Sequence, residues 1–148
     1  MENLLKYWLG VVSVVSVYEN INNGTHNWFC IDSECQIGDQ FYLYATSSTF
    51  KKSGIFGLFE ITNIDSSQNS KCASYASAVA RFANPKIYTE FKTISIYDSP
   101  ISNTELKTNP ITSRCQPVRR LFRGTCFSLG KSEHLEIMKL LKLKNINS

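Results

Sequence analysis

Little in this chain looks like catalytic chemistry. Its 148 residues include two histidines, His26 and His134, and neither stands in an HExxH, GxSxG or paired-ligand arrangement. That sets aside the common zinc hydrolases and the nucleophile-elbow hydrolases. The five cysteines (Cys30, Cys35, Cys72, Cys115 and Cys126) are odd in number and contain no CxxC pair. Zinc ligands come as close pairs and secreted disulfide frameworks as even sets. The cysteines are therefore expected to be reduced cytosolic thiols used as small core residues, with no metal and no cofactor. Residues 4–17 form the most apolar stretch, but Lys6, Ser13 and Ser16 interrupt it, and it is too short to span a bilayer. It also lacks a basic start and a small-residue cleavage site. A cytoplasmic protein with no membrane partner is expected, in which the Asn23-Gly24-Thr25 sequon is coincidence. Gly54 and Gly57 flank a strand rather than open a helix, so no phosphate-cradling loop is implied.

What is present is a domain-sized apolar complement and an uneven charge. With 43% hydrophobic residues the chain fits one domain over residues 1–148, large enough to bury a core. Residues 101–148 hold nine Lys/Arg against three Glu, whereas residues 1–100 hold seven basic and nine acidic groups. A basic C-terminal third on a near-neutral body fits either a surface for polyanions or an ordinary solvated face.

Tyr7 to Val12 reads as a buried strand, and Val14 to Ile21 as a short helix or its continuation, ended by Asn20, Asn22, Asn23 and Gly24. Gly24 to Phe29 is expected to be a polar turn, with Trp28 isolated in it. Gly38-Asp39 signals another turn. Gln40 to Tyr44 then alternates Phe41 and Leu43 against Tyr42 and Tyr44. Ile55 to Thr62 follows a polar, lysine-bearing loop, with Ile55, Gly57, Phe59 and Ile61 on one side, and the two strands form a hairpin. Ile64 to Ser74, rich in Ser, Asn and Gln, is expected to be an exposed loop, and Ser74 to Phe82 a short helix. Ile87 to Ile96 is a long strand, Thr104 to Leu106 at most one helical turn, and Leu121 to Ser128 a last strand. Ser132 caps a helix from Glu133 to about Lys142, with Leu135, Ile137, Met138 and Leu141 inward and His134 solvated or capping. Several short strands with a few short helices make an α+β domain with a curled sheet or small barrel.

Trp28 carries most of the functional question. An indole in a polar turn either plugs the core or offers a flat surface on which something planar stacks. A stacking aromatic contributes on the order of 1–3 kcal/mol per base and tolerates any heterocycle, so hydrogen-bonding groups must set identity. In the binding reading Trp28 supplies the stack, Ser13 and Asn27 the hydrogen bonds, and Thr46, Ser47 and Ser48 further polar contacts. Arg119, Arg120 and Arg123 hold flanking phosphates. In a hydrolase reading the only available acids and bases are His26, Asp32 and Glu34. A third reading is a protein-interaction module with a vestigial pocket.

The order of Tyr7-Trp8-Leu9, isolated Trp28, the strand Ile37-Gly38-Asp39-Gln40-Phe41-Tyr42-Leu43-Tyr44, the strand Gly54-Ile55-Phe56-Gly57-Leu58-Phe59-Glu60-Ile61, and Phe122-Arg123-Gly124 to Leu129 before an acidic-start helix resembles the EVE domain. That is a PUA-like family related to the YTH readers of methylated RNA, and the resemblance covers nearly the whole chain. It implies a small β-barrel of five or six strands flanked by short helices, with an aromatic pocket for a modified base flipped from DNA or RNA. By position Trp28 matches a cage wall, Ser13 a polar base contact, and Thr46 and Ser47 the end of the hairpin's first strand, with Tyr44 beside them. The sequence has no clear second cage tryptophan, so either Tyr75 or Phe82 takes its place or the cage is incomplete. The resemblance thus implies a non-enzymatic reader of RNA or DNA, single-stranded or with a flipped base.

Overall fold

The computed structural model describes residues 5–12, 15–46, 53–75, 86–115 and 126–146. Six strands form one sheet: β1 (Tyr7–Val12), β2 (Trp28–Asp32), β3 (Gln40–Ala45), β4 (Gly54–Ile64), β5 (Lys86–Ile101) and β6 (Cys126–Leu129). Their order across the sheet is β2-β5-β4-β3-β1-β6. Every pairing is antiparallel except β1 with β3, which run parallel in the register Tyr7↔Gln40 to Val12↔Ala45. The parallel pair needs a crossover, and helix α1 (Val15–Asn22) with β2 supplies it. Helices α2 (Asn103–Thr108) and α3 (Lys131–Lys144) follow β5 and β6. The sheet curls into the half-barrel of an α+β PUA-like fold.

Period-2 alternation divides the apolar residues between two faces. Inside the curl lie Trp8, Val12, Phe29, Ile31, Phe41, Leu43, Ala45, Phe56, Phe59, Ile61 and Phe91. Ile21 of α1 closes this core, helped by Tyr18, whose ring meets Phe56 edge-on at 4.8 Å. On the outer face Leu9, Val11, Tyr42, Tyr44, Ile55 and Leu58 pack under Leu106 of α2 and Ile137 and Leu141 of α3. Phe41 and Leu43 do face away from Tyr42 and Tyr44, as the alternation predicts. In β4 the alternation fails. Register shifts against β5 between Ile55 and Gly57 and between Leu58 and Phe59 send Ile55 outward and Phe56 and Phe59 inward.

The turn before β3 is built around a buried acid. Gly38 takes φ +96°, a conformation that costs glycine little, and it presents Asp39, which is fully buried. The Asp39 carboxylate accepts from the Lys6 backbone N–H (2.8 Å), the Trp8 indole Nε1 (3.0 Å) and the Gln36 backbone N–H (3.0 Å). A buried carboxylate is tolerable only when its lone pairs are met in this way. It ties β1 to the entry of β3.

Several expectations are corrected. Trp28 opens strand β2 rather than lying in a turn, because Trp28-Phe29-Cys30-Ile31 pairs with β5 in the register Trp28↔Glu90 to Asp32↔Lys86. The Ser/Asn-rich loop is a 3-10 helix, η1 (Ser66–Tyr75), packed on β5. Asp65 stabilises its first turn by accepting from the Ser67 hydroxyl (2.6 Å) and the Gln68 amide (2.9 Å). Cys30 and Cys72 form a disulfide, so two of the five cysteines are not thiols. Their separation of 42 residues hides a proximity that β2 and η1 create by packing against the same strand. In the chain-entropy account, closing a loop of that length stabilises the fold by about 4 kcal/mol. Cys35, Cys115 and Cys126 are buried thiols, as expected of them. In α3, Gly130 rather than Ser132 occupies the cap position, and Leu135 is 54% exposed. Helix α2 is longer than one turn and is held by a capping box between Ser102 and Glu105. The expected helix over 74–82 lies mostly outside the described residues.

Candidate functional site

Two histidines each join an aromatic row on the outer face of the sheet. On β2 the side chains of Trp28 and Cys30 point away from the core, because Phe29 and Ile31 between them point in. Trp28 is half-buried. It stacks with His26 (4.9 Å between centroids, 26° between planes) and with Tyr88 of β5 (5.2 Å, 24°). The Lys71 ammonium of η1 lies 5.6 Å from the Trp28 ring and 5.3 Å from the Tyr88 ring. Cys30, Cys72 and Tyr88 form a small cluster beneath, against which Trp28 packs. Trp28 therefore belongs to neither large core cluster and is not packed against Leu9 and Phe41. Burial holds the His26 imidazole below its ordinary pKa, against a hydrogen bond to the Trp28 backbone that raises it. It is mainly neutral at pH 7.

His134 makes the second row. It is 5% exposed, lies flat on Tyr7 (3.5 Å, 9°), and its Nδ1 shares a hydrogen bond of 3.0 Å with the Tyr42 hydroxyl. The expectation of a solvated or capping histidine is thus corrected: α3 turns His134 inward together with Ile137 and Leu141. Burial lowers its pKa as well and pushes the Tyr42 phenol up.

The remaining expected site residues are spread around the barrel. Asn27 is exposed beside Trp28, and its carbonyl accepts from the Phe91 N–H at 2.9 Å. Thr46 is half-buried at the end of β3, where its N–H donates to the Val12 carbonyl at 3.1 Å. That bond joins the ends of β1 and β3, so the chain positions next to Ser13 and Ser47 are neighbours; Ser13 and Ser47 themselves lie outside the described residues. Tyr44 is buried under the helices with Leu9, Val11 and Tyr42, a different cluster from that of Trp28, and burial raises its pKa. Tyr75 is the last residue of η1. Arg119, Arg120 and Arg123 lie outside the described residues.

Of the basic C-terminal third, Lys107, Arg114, Lys131, Lys139, Lys142 and Lys144 are exposed on the helical side. Lys144 is also bonded to Glu105 and to the Pro100 carbonyl. The acids and bases of the hydrolase reading do not gather. Asp32 caps its own turn through the Glu34 N–H, and Glu34 is an exposed partner of Lys6. Asp32 stands about 13 Å of strand away from Trp28, beside which His26 stacks. Among the described residues no group of three His, Cys, Asp or Glu side chains is placed to hold a metal. Lys71 and Tyr88 carry no sequence signal of their own, since one sits in a polar stretch and the other in the regular alternation of β5.

The curled six-stranded sheet with its short helices has the architecture of a PUA-like fold. The likeness to particular solved structures is extensive in shape and slight in sequence. A hypothetical protein from Leishmania major superposes with a TM-score of 0.65 at 17% identity, over 94% of this chain and 96% of that one. The human THYN1 protein, solved in complex with DNA containing 5-methylcytosine, gives 0.60 at 16% identity over 93% and 98%. ZmASCH from Zymomonas mobilis gives 0.63 at 13% identity over 91% and 98%. No protein-family model matches the sequence, and no curated protein matches it significantly. Among the described residues no helix is long and apolar enough to cross a membrane.

Proposed function

We propose that this chain is a non-enzymatic, cytoplasmic nucleic-acid-binding domain that takes up an unstacked or modified base on the aromatic row of Trp28. The observation that carries the reading is the row itself: a half-buried indole stacked with His26 and Tyr88, with the Lys71 ammonium across it. The PUA-like fold, shared with a human protein solved on methylated DNA, supports it. Because Trp28 already has ring neighbours, an incoming base replaces one of them. His26 is the one that yields, since it sits on the connection before β2, whereas Tyr88 is held in β5. The base gains one stacking face, on the order of 1–3 kcal/mol. Asn27, exposed beside Trp28, offers hydrogen bonds to the base edge. Lys71 swings to a phosphate, joined by Arg119, Arg120 and Arg123.

Titration of the chain with fluorescein-labelled single-stranded DNA and RNA, unmodified and carrying different methylated bases, tests the reading. Trp28→Ala is expected to weaken binding about tenfold or more while the protein still unfolds cooperatively. Lost thermal stability with unchanged binding makes Trp28 a packing residue only. Neutralising the three arginines lowers affinity for all sequences alike and flattens its salt dependence.

A further inference from the structure

The described part of the cover over the Trp28 row is fastened to the sheet by one covalent bond and a few polar contacts. Of residues 66–72 in η1, only Cys72 is buried, and Ser66, Ser67, Ser70 and Lys71 are exposed. No apolar ridge docks this stretch. Its polar ties to the sheet include the Asn69 side-chain carbonyl accepting from the Tyr88 N–H (2.9 Å), a side-chain hydrogen bond between Gln68 and Tyr88 and, just before η1, the Asp65 N–H donating to the Tyr88 carbonyl (3.2 Å). Ten residues is long for a 3-10 helix, whose hydrogen bonds are poorly aligned and which rarely exceeds a single turn. The disulfide to Cys30 fastens this weakly held segment two residues along the strand from Trp28, on the same face. The residue beside Cys72 is Lys71, the one laid over Trp28 and Tyr88.

We propose that the Cys30–Cys72 disulfide is a redox-operated clamp on this face. Oxidised, it holds η1 and Lys71 across Trp28 and Tyr88; reduced, it releases the segment and lets the face accept a base. The second half rests on the function proposed above; the first does not. In the opening step the Sγ–Sγ bond breaks and two S–H bonds form. A dithiol supplies the two electrons and two protons and is itself oxidised to a disulfide. In a reducing compartment a disulfide of this kind is transient and regulatory rather than structural. The other three cysteines do not interfere. Burial pushes the Cys35 thiol up to about 12 and the Cys115 and Cys126 thiols to about 11, so they stay protonated, and exchange proceeds through thiolates.

The clamp is read without any ligand by acrylamide quenching of tryptophan fluorescence in the full chain, with and without dithiothreitol. Trp8 is 2% exposed and bonded to Asp39, so it gives a constant background, and Trp28→Phe removes the signal of interest. Reduction is expected to raise the Trp28 quenching constant about twofold or more. It should also tighten binding of a labelled single-stranded oligonucleotide about tenfold. A Cys30→Ser/Cys72→Ser chain should behave as the reduced protein in both buffers. If that variant does not fold, reduced wild type followed by circular dichroism serves instead. Unchanged quenching in a folded reduced chain overturns the clamp, and so does unfolding on reduction, which makes the disulfide purely structural. Quenching that rises while oligonucleotide affinity stays equal and measurable overturns its control of binding. Quenching that rises with no oligonucleotide bound in either state leaves the clamp standing and removes the base-binding reading.

Discussion

His134 and His26 are built from the same parts and put to different ends. Each is a histidine stacked with aromatics on the outer face of one curled sheet, and burial keeps each below the ordinary imidazole pKa. The cover makes the difference. His134 is carried by the 14-residue helix α3, which lies over Tyr7 and Tyr42 and buries Ile137 and Leu141 against Leu9, Tyr42 and Ile101, so the row is sealed. Over Trp28 lies a polar 3-10 segment that buries a cysteine. Buried aromatic area stabilises the fold in the first place and remains accessible in the second. Whether an aromatic cluster is core or site is thus decided by the element laid across it rather than by the rings.

The largest effect that would test this contrast is expected on the sealed side. Leu141→Ala removes a fully buried side chain under α3 and should cost about 2–5 kcal/mol in denaturant unfolding. Oligonucleotide affinity of the molecules that remain folded should not change; a parallel loss of affinity would mean the two rows are one unit. Next comes the covalent tie of the other cover. Replacing both Cys30 and Cys72 with serine should lower stability by about 2–4 kcal/mol in the same assay, and a smaller loss would show that η1 docks by other means.

A smaller effect is expected with pH. His134 has a folded pKa below its unfolded value of about 6.5, so the unfolded chain binds more protons in the window beneath that value. Its contribution is therefore present above about pH 6.5 and is lost as pH falls through the window. His134→Phe should flatten the acid limb of the stability curve, which urea titrations between pH 5 and 7 would read. His26, on the open side, should titrate by NMR closer to the ordinary value once Trp28 is replaced by alanine, because that removes the ring against which it is desolvated. The smallest effect is Lys71→Ala, which deletes an exposed cation–π contact worth about 0.5–1 kcal/mol. It should leave stability nearly unchanged while raising the acrylamide quenching of Trp28 in the oxidised protein.

The elements with strong periodicity are legible in the amino-acid sequence alone. β1, β3 and the two faces of β3 follow from Tyr7-Trp8-Leu9-Gly10-Val11-Val12 and Phe41-Tyr42-Leu43-Tyr44, and α3 from its apolar spacing. What is not legible depends on partners distant in sequence. β2 has five residues behind a polar turn, and only its pairing with β5 makes it a strand. The β4 bulge reassigns Ile55 and Phe56 because neighbouring strands, not β4 alone, set the register. His134 and Leu135 exchange expected environments because apolar spacing along a helix fixes its rotation only to within a residue. Asp39 reads as turn punctuation, yet three donors converge on its carboxylate. At the candidate site Trp28 stands out as an isolated indole, whereas Lys71, Tyr88 and the cysteine pair come together only when η1 folds back over β2 and β5.

The parallel pairing of β1 with β3 also bears on how the chain is made. β1 lies between β3 and β6, the strand emerging last among those described. During synthesis β1 can join the β3–β4 hairpin early, but its other edge stays open until residues 126–129 leave the ribosome. Through that interval Leu9 and Val11 lack both β6 and the helix that later covers them. A ribosome that stalls before β6 therefore leaves an apolar strand edge exposed, and this is the stage at which the nascent chain most needs a chaperone.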